Sequence, residues 1–260
     1  RNKEKIWNWS DFNWWKVQYR QVDEEVKNQI EKMTISKNNF FLGNEINLLK
    51  NYPAAKRDTN IRADHKTKYD HEIARRFGKE FFDGDRKHGY GGFKYNPKFW
   101  EPVIPTLVDY WNLDNNCSLL DVGCAKGFML YDLKKAIPKI KISGIDISEY
   151  AIENAKKEVK QYLKVGDAKE LPYEDNSFDI VIAINTIHNL NKEDCAKALK
   201  EISRVAKKNS FITVDAFRNE EEKKRMFEWN LTAKTILSVS EWKKFFKENN
   251  YTGDFYWFIP

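Results

Sequence analysis

The chain has 260 residues, enough to bury one large core or to form a single α/β domain with an attached cap. Its 45 basic and 39 acidic side chains give a net charge of +6, and because the two signs alternate along most segments, they permit a nucleic-acid partner without favouring one. The three cysteines lack C-x-x-C spacing, which indicates neither a disulfide framework nor a zinc site. No run approaches the roughly 20 apolar residues of a membrane span, so we expect a cytoplasmic protein with reduced thiols.

Residues 1–98 mix aromatic and charged side chains without a β-α-β rhythm. This mixture predicts a largely helical, aromatic-rich cap or lid, followed by a core domain at residues 99–260. Helical periodicity is expected at residues 22–33 and 60–77. The tryptophan-rich segment 7–19 is expected to pack on the core as a strap, with stacking on a sugar or base and anchoring at a membrane surface as the alternatives.

Residues 118–130 are the most informative stretch, because they read as a buried strand, a glycine turn and a helix. In chain order the stretch contains Asp121, Gly123, Gly127 and Phe128–Ala136. Glycine accepts positive φ and lets a ligand approach the backbone, while the N–H groups of a helix start are donors, so we expect a nucleotide on this turn. A dinucleotide fingerprint would need glycines where this chain has Ala125 and Phe128, which argues against that class of ligand.

Polar residues also follow the next strands of the predicted sheet. The strand pattern KIKISGI ends in Asp146, whose carboxylate is placed to accept hydrogen bonds from both hydroxyls of a ribose. The strand-like YLKVGDA reaches Asp167, and the apolar segment Phe178–Ile184 predicts a strand buried on both faces that stops at Asn185.

Helices and strands are expected to alternate through the rest of the chain, which predicts a doubly wound parallel sheet. The expected helices are 99–111, 147–160, Lys192–Val205, 220–237 and 241–248, the last capped by Ser240. The KIKISGI strand spans residues 139–145, and the further expected strands are 210–217 and 251–259.

The pattern D-x-G-x-A-x-G at residues 121–127, with the strand ends that follow it up to residue 190, resembles class I S-adenosylmethionine-dependent methyltransferases of the bacterial small-molecule type. The resemblance implies a Rossmann-like, mostly parallel sheet that ends in an antiparallel hairpin, although this chain shows only one clear strand there. It implies S-adenosyl-L-methionine as cofactor, with Asp167 beside the adenine and 185–188 facing the sulfonium and the acceptor. The implied cofactor residues are Asp121, Gly123, Cys124, Ala125, Gly127, Asp146, Ile147, Asp167, Ala168, Asn185 and Thr186. Ala125 replaces a usual glycine, which is expected to tighten the turn and weaken cofactor binding slightly.

The resemblance also bears on the acceptor. It implies a small-molecule substrate, first of all a hydroxyl of a sugar or sugar-nucleotide in surface-carbohydrate or specialised biosynthesis. N-methylation of an amino sugar or natural product, methylation of RNA, and a non-catalytic protein that binds the cofactor remain the alternatives. Alignment of acceptor, methyl carbon and sulfur dominates such a reaction, so the aromatic cap is expected to close over a dry cavity.

Three residues are candidates for the chemistry at the acceptor. His188 is the first candidate for a general base, with a histidine that only bonds a loop as the alternative. His88 is the second, and Tyr90 is expected to orient an acceptor or close over the cofactor, unless their loop merely packs on the core. No metal is expected, because Asn185 and Asp215 end the fourth and fifth strands without an acidic neighbour.

Overall fold

The structure is a computed structural model, and it describes residues 42–53, 66–91 and 93–260. These residues belong to one compact unit, Leu42–Pro260. The tryptophan-rich segment, the helix expected at residues 22–33 and the first part of the helix expected at 60–77 lie outside the described residues.

Helices and strands alternate along the described chain. Its helices are α1 Lys68–Ala74, α2 Lys79–Phe82, α3 Pro97–Trp100, α4 Ile104–Trp111, α5 Phe128–Ala136, α6 Glu149–Glu153, α7 Lys192–Val205, α8 Glu220–Trp229 and α9 Val239–Glu248. Its strands are β1 Ser118–Val122, β2 Lys141–Asp146, β3 Leu163–Val165, β4 Phe178–Ile184, β5 Ala206–Phe217, β6 Leu237–Ser238 and β7 Asp254–Phe258. Helices α5 and α7 begin and end at the residues that the sequence predicted.

Five strands form the centre of the sheet in the order β3-β2-β1-β4-β5, and all of their pairings are parallel. Leu120 of β1 lies opposite Ser143 of β2 on one side and Val181 of β4 on the other. The chain therefore moves outward from β1 through β2 and β3 and returns as β4 on the other side of β1. This reversal leaves a crevice at the carboxyl ends of β1 and β4, where doubly wound sheets bind ligands. The predicted Rossmann-like fold is confirmed.

The end of the sheet differs from the antiparallel hairpin that the resemblance implied. Strand β7 pairs with β5 in parallel, with Phe211 opposite Asp254 and Asp215 opposite Phe258. The short strand β6 also pairs with β5 in parallel. Helix α8 precedes β6 and helix α9 precedes β7, and a helical crossover returns the chain to the same end of the sheet, which produces parallel pairing.

The outer edge of β7 is bonded to residues 44–46. The Ile46 N–H donates to the Phe255 carbonyl, and the Phe255 N–H donates to the Asn44 carbonyl, both at 3.0 Å. The buried Asp254 carboxylate also accepts from the backbone N–H and the side-chain amide of Asn44, at 2.8 and 3.0 Å. The start of the compact unit is therefore attached to the last strand of the sheet by backbone and side-chain hydrogen bonds.

Helix α6 is shorter than the helix predicted at residues 147–160, because it ends at Glu153. The N–H of Lys156 donates to the carbonyl of Lys126 at 2.9 Å, so this backbone is bonded to the glycine turn and does not continue the helix. A short 3₁₀ helix, Lys160–Tyr162, then leads into β3.

Helix α8 ends at Trp229, although the sequence predicted helix up to residue 237. The Asn230 side chain closes the loop that follows, since it accepts from the Ala233 N–H at 2.8 Å and donates to the Ala233 carbonyl at 3.1 Å. An asparagine that bonds nearby backbone competes with helical hydrogen bonding. Ser238, and not Ser240, then caps α9 through a capping box with the third residue of the helix.

Apolar helices cover both faces of the sheet. In β4, Val181 and Ala183 pack in a cluster with Leu199 of α7, whereas Ile180 and Ile182 pack in another cluster, to which α4 and α5 contribute. These four strand residues are at most 2% exposed. The strand is thus buried on both faces, as its continuous apolar sequence predicted.

Candidate active site

The glycine turn joins β1 to α5 and lies against the end of β2. The N–H groups of Gly123 and Cys124 both donate to the Ile145 carbonyl, at 2.7 and 3.1 Å. Gly123 has φ +84°, and a Cβ at this position would lie 2.1 Å from the hydroxyl oxygen of Thr186. Only glycine fits both the conformation and the space, so the end of β4 packs directly against the turn.

Ala125 adopts the left-handed conformation, with φ +48°, where the resemblance expects glycine. A Cβ in this region costs roughly 1–2 kcal/mol. The Ala125 N–H donates to Oδ2 of Asp146 at 2.8 Å, and this bond to a charged acceptor helps to offset the strain. Two residues later Gly127, with φ +73°, is the N-cap of α5. The turn therefore keeps its shape with an alanine in it.

Asp146 is the last residue of β2, and its carboxylate is fixed by two backbone donors. Oδ2 accepts from Ala125, and Oδ1 accepts from the Ser148 N–H at 2.8 Å. Burial raises the pKa of Asp146, although these two hydrogen bonds act to lower it. Each carboxylate oxygen retains a second lone pair, so the group is positioned to accept two hydrogen bonds from a ligand.

Asp121 lies near the end of β1, and only 6% of the residue is exposed. Burial, and then the charge of the neighbouring Asp146, raises the pKa of Asp121 to about 8. Pairing with a cation favours the ionised form of a buried carboxyl and opposes the effect of desolvation. The position of Asp121 on the cavity wall therefore suits a cationic group of a ligand.

Of the eleven cofactor residues that the sequence predicted, all except Gly127 line the same cavity. These ten residues are Asp121, Gly123, Cys124, Ala125, Asp146, Ile147, Asp167, Ala168, Asn185 and Thr186. Ile147 is a large apolar side chain in this lining that is 55% exposed. Asp167 accepts from the Lys169 N–H at 3.0 Å, which orients its carboxylate.

The cavity has a volume of about 1800 Å³. This exceeds the roughly 300–1,000 Å³ of pockets that hold one small molecule. One part of its lining is the glycine turn and the strand ends, and another part comes from residues 66–91 and the loop after α8. The cavity therefore has room for two ligands side by side.

An ion pair between a buried lysine and a partly exposed aspartate joins the glycine turn to the segment that precedes the core. Lys126, 6% exposed, donates from Nζ to both carboxylate oxygens of Asp83, at 2.8 and 2.7 Å. The Tyr150 hydroxyl donates to the same carboxylate at 2.7 Å. Burial acts to raise the pKa of Asp83, but the hydrogen bonds from Lys126 and Tyr150 set it below its ordinary value. No sequence pattern predicted this contact.

His188 is buried and lines the cavity, and its hydrogen bonds determine what the ring does. The N–H of Asp215 donates to Nδ1 at 2.9 Å, so a neutral ring carries its proton on Nε2, which lies 3.7 Å from Oδ1 of Asp215. Burial lowers the pKa of His188 to about 3. Near neutral pH the ring is thus an uncharged donor whose other nitrogen already accepts a hydrogen bond. This geometry opposes the sequence-based hypothesis of a general base.

His88 and Tyr90 occupy different places. His88 is buried, bonds Oδ1 of Asp70 through Nε2 at 2.9 Å, and is not part of the cavity lining among the described residues. Tyr90 lines the cavity, and its hydroxyl accepts from the N–H groups of Leu231 and Thr232 at 2.8 and 3.2 Å. Burial, and then the charge of Asp215, raises the pKa of Tyr90, so it remains a neutral phenol.

Asp215 is the cavity residue that the sequence reasoning missed, since it was weighed only as a metal ligand. It lies in β5, lines the cavity, and is 4% exposed. Its backbone is fixed on both sides, because its N–H donates to His188 and its carbonyl accepts from the Trp242 indole N–H at 2.9 Å. The rule that selected Asp121 and Asp146, an acid near the end of a parallel strand, would also have found Asp215.

Three further observations concern the described part of the chain. It contains no group of three or more His, Cys, Asp or Glu side chains that could hold a metal ion. Its three cysteines are buried thiols. Burial raises the pKa of Cys124 well above the ordinary value, which indicates a small packing residue in the turn and not a nucleophile. No helix in the described ranges has the length and apolar character needed to cross a membrane.

Comparison with known proteins adds independent findings. Over 98 residues the chain is 40% identical to demethylmenaquinone methyltransferase of Staphylococcus aureus, a match that covers 36% of this chain and 40% of the relative. The chain thus matches less than half of the length of that relative. Among solved structures, the YcgJ protein of Bacillus subtilis has a TM-score of 0.47 at 20% identity, over 56% of this chain and 66% of that one. A SAM-dependent methyltransferase of Methanosarcina mazei has a TM-score of 0.40 at 22% identity, over 46% and 61%.

The model of a protein family described as "Methyltransferase domain" matches residues 113–250. This range contains the glycine turn, the strand ends that carry the acids, and most of the cavity wall that they form. Because the match covers more than half of the chain, the protein belongs to this family of methyltransferase domains.

Proposed function

We propose that the glycine turn and the acids at the ends of β1, β2 and β3 bind S-adenosylmethionine. Asp146 accepts hydrogen bonds from the ribose hydroxyls, Asp121 pairs with the ammonium group, and Asp167 accepts from the adenine amino group. The supporting observation is that these three carboxylates line one cavity beside a turn in which Gly123 leaves no room for a side chain. Ile147 supplies an apolar surface for the adenine ring.

The acceptor lies, in this proposal, between Asn185 and the wall formed by residues 66–91. The bound sulfonium supplies the methyl group. Asp215 accepts the proton of an acceptor hydroxyl, while His188, with its proton on Nε2, donates a hydrogen bond to the acceptor or to Asp215. The fixed backbone of Asp215 supports this role, because a base needs a defined position within hydrogen-bonding distance of its proton. His88 has a positioning role, since it holds the loop of Tyr90 against α1.

The substrate that fits these groups best is a hydroxyl of a sugar or sugar-nucleotide. The cavity presents donors and acceptors together, including Asp215, Tyr90 and Thr232, and a polyhydroxylated acceptor pairs with both kinds. A second candidate is a quinol, since one relative is a demethylmenaquinone methyltransferase. An amine acceptor is the third, because Asp215 and the ring of Trp229 are suited to a cation.

The cofactor site is tested by calorimetric titration with S-adenosylhomocysteine. We expect Asp146→Ala to weaken binding about a hundredfold, because two hydrogen bonds to a charged acceptor are lost, each contributing about 1.5 kcal/mol or more. Asp109→Ala is the matched control, since Asp109 is an exposed acid outside this cavity. Equal affinity for the parent and Asp146→Ala would show that the ribose is not bound here.

The acceptor class is tested by mass spectrometry of products from separate reactions. The panel contains sugar-nucleotides, neutral sugars, amino sugars, a demethylated naphthoquinol and a short single-stranded RNA. We expect a mass increase of one methyl group on a sugar hydroxyl, with a rate that Asp215→Asn lowers about a hundredfold or more. Methylation of the quinol, of an amine or of RNA alone would replace the sugar hydroxyl as the proposed acceptor.

A further inference from the structure

Acidic and basic side chains line different parts of the cavity. On the side of the glycine turn and strand ends the acids are Asp121, Asp146, Asp167 and Asp215, and the two lysines there are ion-paired with Asp83 and Asp167. In the part of the lining that comes from residues 66–91 and the loop after α8, basic side chains outnumber acidic ones by six to two. They are Lys66, Arg75, Arg76, Arg86, Lys87 and Lys234, against Asp70 and Asp85.

The two acids in this part of the lining form no ion pair with its basic groups. Asp70 accepts from Thr67 and bonds His88, and Asp85 accepts from a backbone N–H. Four of the basic side chains are exposed, and none of the four is in an ion pair with any other described residue. These four, called the basic rim below, are Arg76, Arg86, Lys87 and Lys234.

The rim is attached to the site of methyl transfer through ordered contacts. The Arg75 guanidinium donates to the carbonyls of Thr232 and Ala233, both at 3.2 Å, which joins the end of α1 to the loop after α8. The next residue of that loop, Lys234, donates its N–H to the His188 carbonyl at 3.0 Å. Arg76 and Lys234 are therefore each next in sequence to residues that contact one another, and the backbone of Lys234 is bonded to that of His188.

Arg86 reaches the rim from another segment. Its Nη1 lies 3.5 Å from the point where a Cβ would sit on Gly91, which has φ +79° and lines the cavity. The Arg86 guanidinium therefore packs over Gly91 at the cavity. Guanidinium groups bind phosphate oxygens with two parallel hydrogen bonds, and several cations that line one cavity favour a multiply charged anion.

We propose that the methyl acceptor carries a phosphate or diphosphate group, which the basic rim binds while the group to be methylated lies near Asp215. This inference rests on the proposed function and narrows it to a charged acceptor, the sugar-nucleotide and not the neutral sugar. The distribution of side chains also favours separate places for the two ligands, because cationic groups of the cofactor meet carboxyl groups at the strand ends, whereas an anion meets the cations of the basic rim.

The test measures binding of inorganic pyrophosphate, uridine diphosphate and neutral uridine to the protein already saturated with S-adenosylhomocysteine. We expect both anions to bind, with affinity that falls as salt rises, and uridine to bind much more weakly. Arg76→Glu, Arg86→Glu and Lys234→Glu are each expected to weaken binding of uridine diphosphate about tenfold or more. Lys79→Glu, which changes the same charge at an exposed position outside the cavity lining, is expected to leave it unchanged.

The outcomes separate this inference from the proposed function. If S-adenosylhomocysteine binds the parent and all variants equally, while the anions bind the rim variants and Lys79→Glu equally, the basic rim has no role and only this inference is overturned. Tighter binding of a short single-stranded RNA than of uridine diphosphate, lost in the same rim variants, would overturn it in favour of a nucleic-acid acceptor. If the parent protein does not bind S-adenosylhomocysteine, the proposed function itself is refuted.

Discussion

Asp121→Asn is expected to stabilise the protein without ligand and to weaken cofactor binding. The carboxyl is buried near the end of β1, and burial, with the charge of Asp146, raises its pKa from 3.8 to about 8. The folded state therefore binds a proton that the unfolded chain releases above pH 3.8. Stability contributed by this group is greatest below that pH and falls as the pH rises toward 8.

The size of the effect follows from that pH range. At pH 7 the solution lies about three pH units above the ordinary pKa, and a cost of about 1.4 kcal/mol per unit gives about 4 kcal/mol as an upper limit. An amide of the same shape does not titrate, so Asp121→Asn removes this cost. We expect a gain of about 1–4 kcal/mol at pH 7, or several degrees in unfolding temperature.

Thermal unfolding of the ligand-free protein between about pH 5 and 8 measures this effect. Asp179→Asn is the control of opposite sign: burial acts to raise the pKa of Asp179, but hydrogen bonds from Lys208 and Ser118 set it at about 2, so the ionised group stabilises the fold above pH 3.8. We expect that variant to unfold at a lower temperature. If Asp121→Asn keeps the parent's unfolding temperature and pH slope, the argument from burial is wrong. Titration with S-adenosylhomocysteine should show weaker binding by the same variant, since the ammonium loses its partner.

Three further predictions concern other parts of the site. His188→Asn should retain more activity than His188→Ala, because the amide oxygen still accepts a hydrogen bond from the Asp215 N–H. Burial sets the His188 pKa at about 3, so this ring does not titrate between about pH 5 and 8. The pH–rate profiles of the parent and of His188→Asn should therefore have the same shape over this range. Ala125→Gly should stabilise the protein by about 0.5 kcal/mol in urea unfolding, as relief of the left-handed strain exceeds the added chain entropy, and a loss of stability would contradict this. Asp83→Asn should lower the free energy of unfolding by about 2–4 kcal/mol, because Lys126 stays buried without its carboxylate. The double variant Asp83→Asn, Lys126→Met should recover most of that loss in urea unfolding. If it recovers none, the ion pair between Lys126 and Asp83 does not explain the loss.

The features that sequence alone predicted correctly are local ones. The glycine turn, helix α5 and the acid that ends β2 follow from residues within one β-α-β unit, where glycine positions and apolar periodicity determine the backbone. Helix α7 was predicted to the residue, because Asn191 caps its start and its apolar face is regular. The alternation of these elements was enough to identify the doubly wound sheet.

What the sequence did not predict depends on contacts between distant segments. The state of His188 follows from a bond to Asp215, 27 positions along the chain, and from burial that no local pattern encodes. The pair between Lys126 and Asp83 spans 43 positions. The direction of β7 likewise follows from helix α9, which a strand pattern alone does not reveal.

The bonding of residues 44–46 to β7 has a consequence for solubility. A sheet edge with unpaired backbone N–H and C=O groups is a template on which other chains can add strands. Here the hydrogen bonds between Ile46, Phe255 and Asn44 occupy part of that edge, and the Trp257 indole N–H donates to the Glu45 carboxylate at 2.7 Å beside them. A shortened protein that starts after residue 47 would uncover an aromatic-rich edge and be prone to aggregate, even though every residue around the glycine turn would still be present.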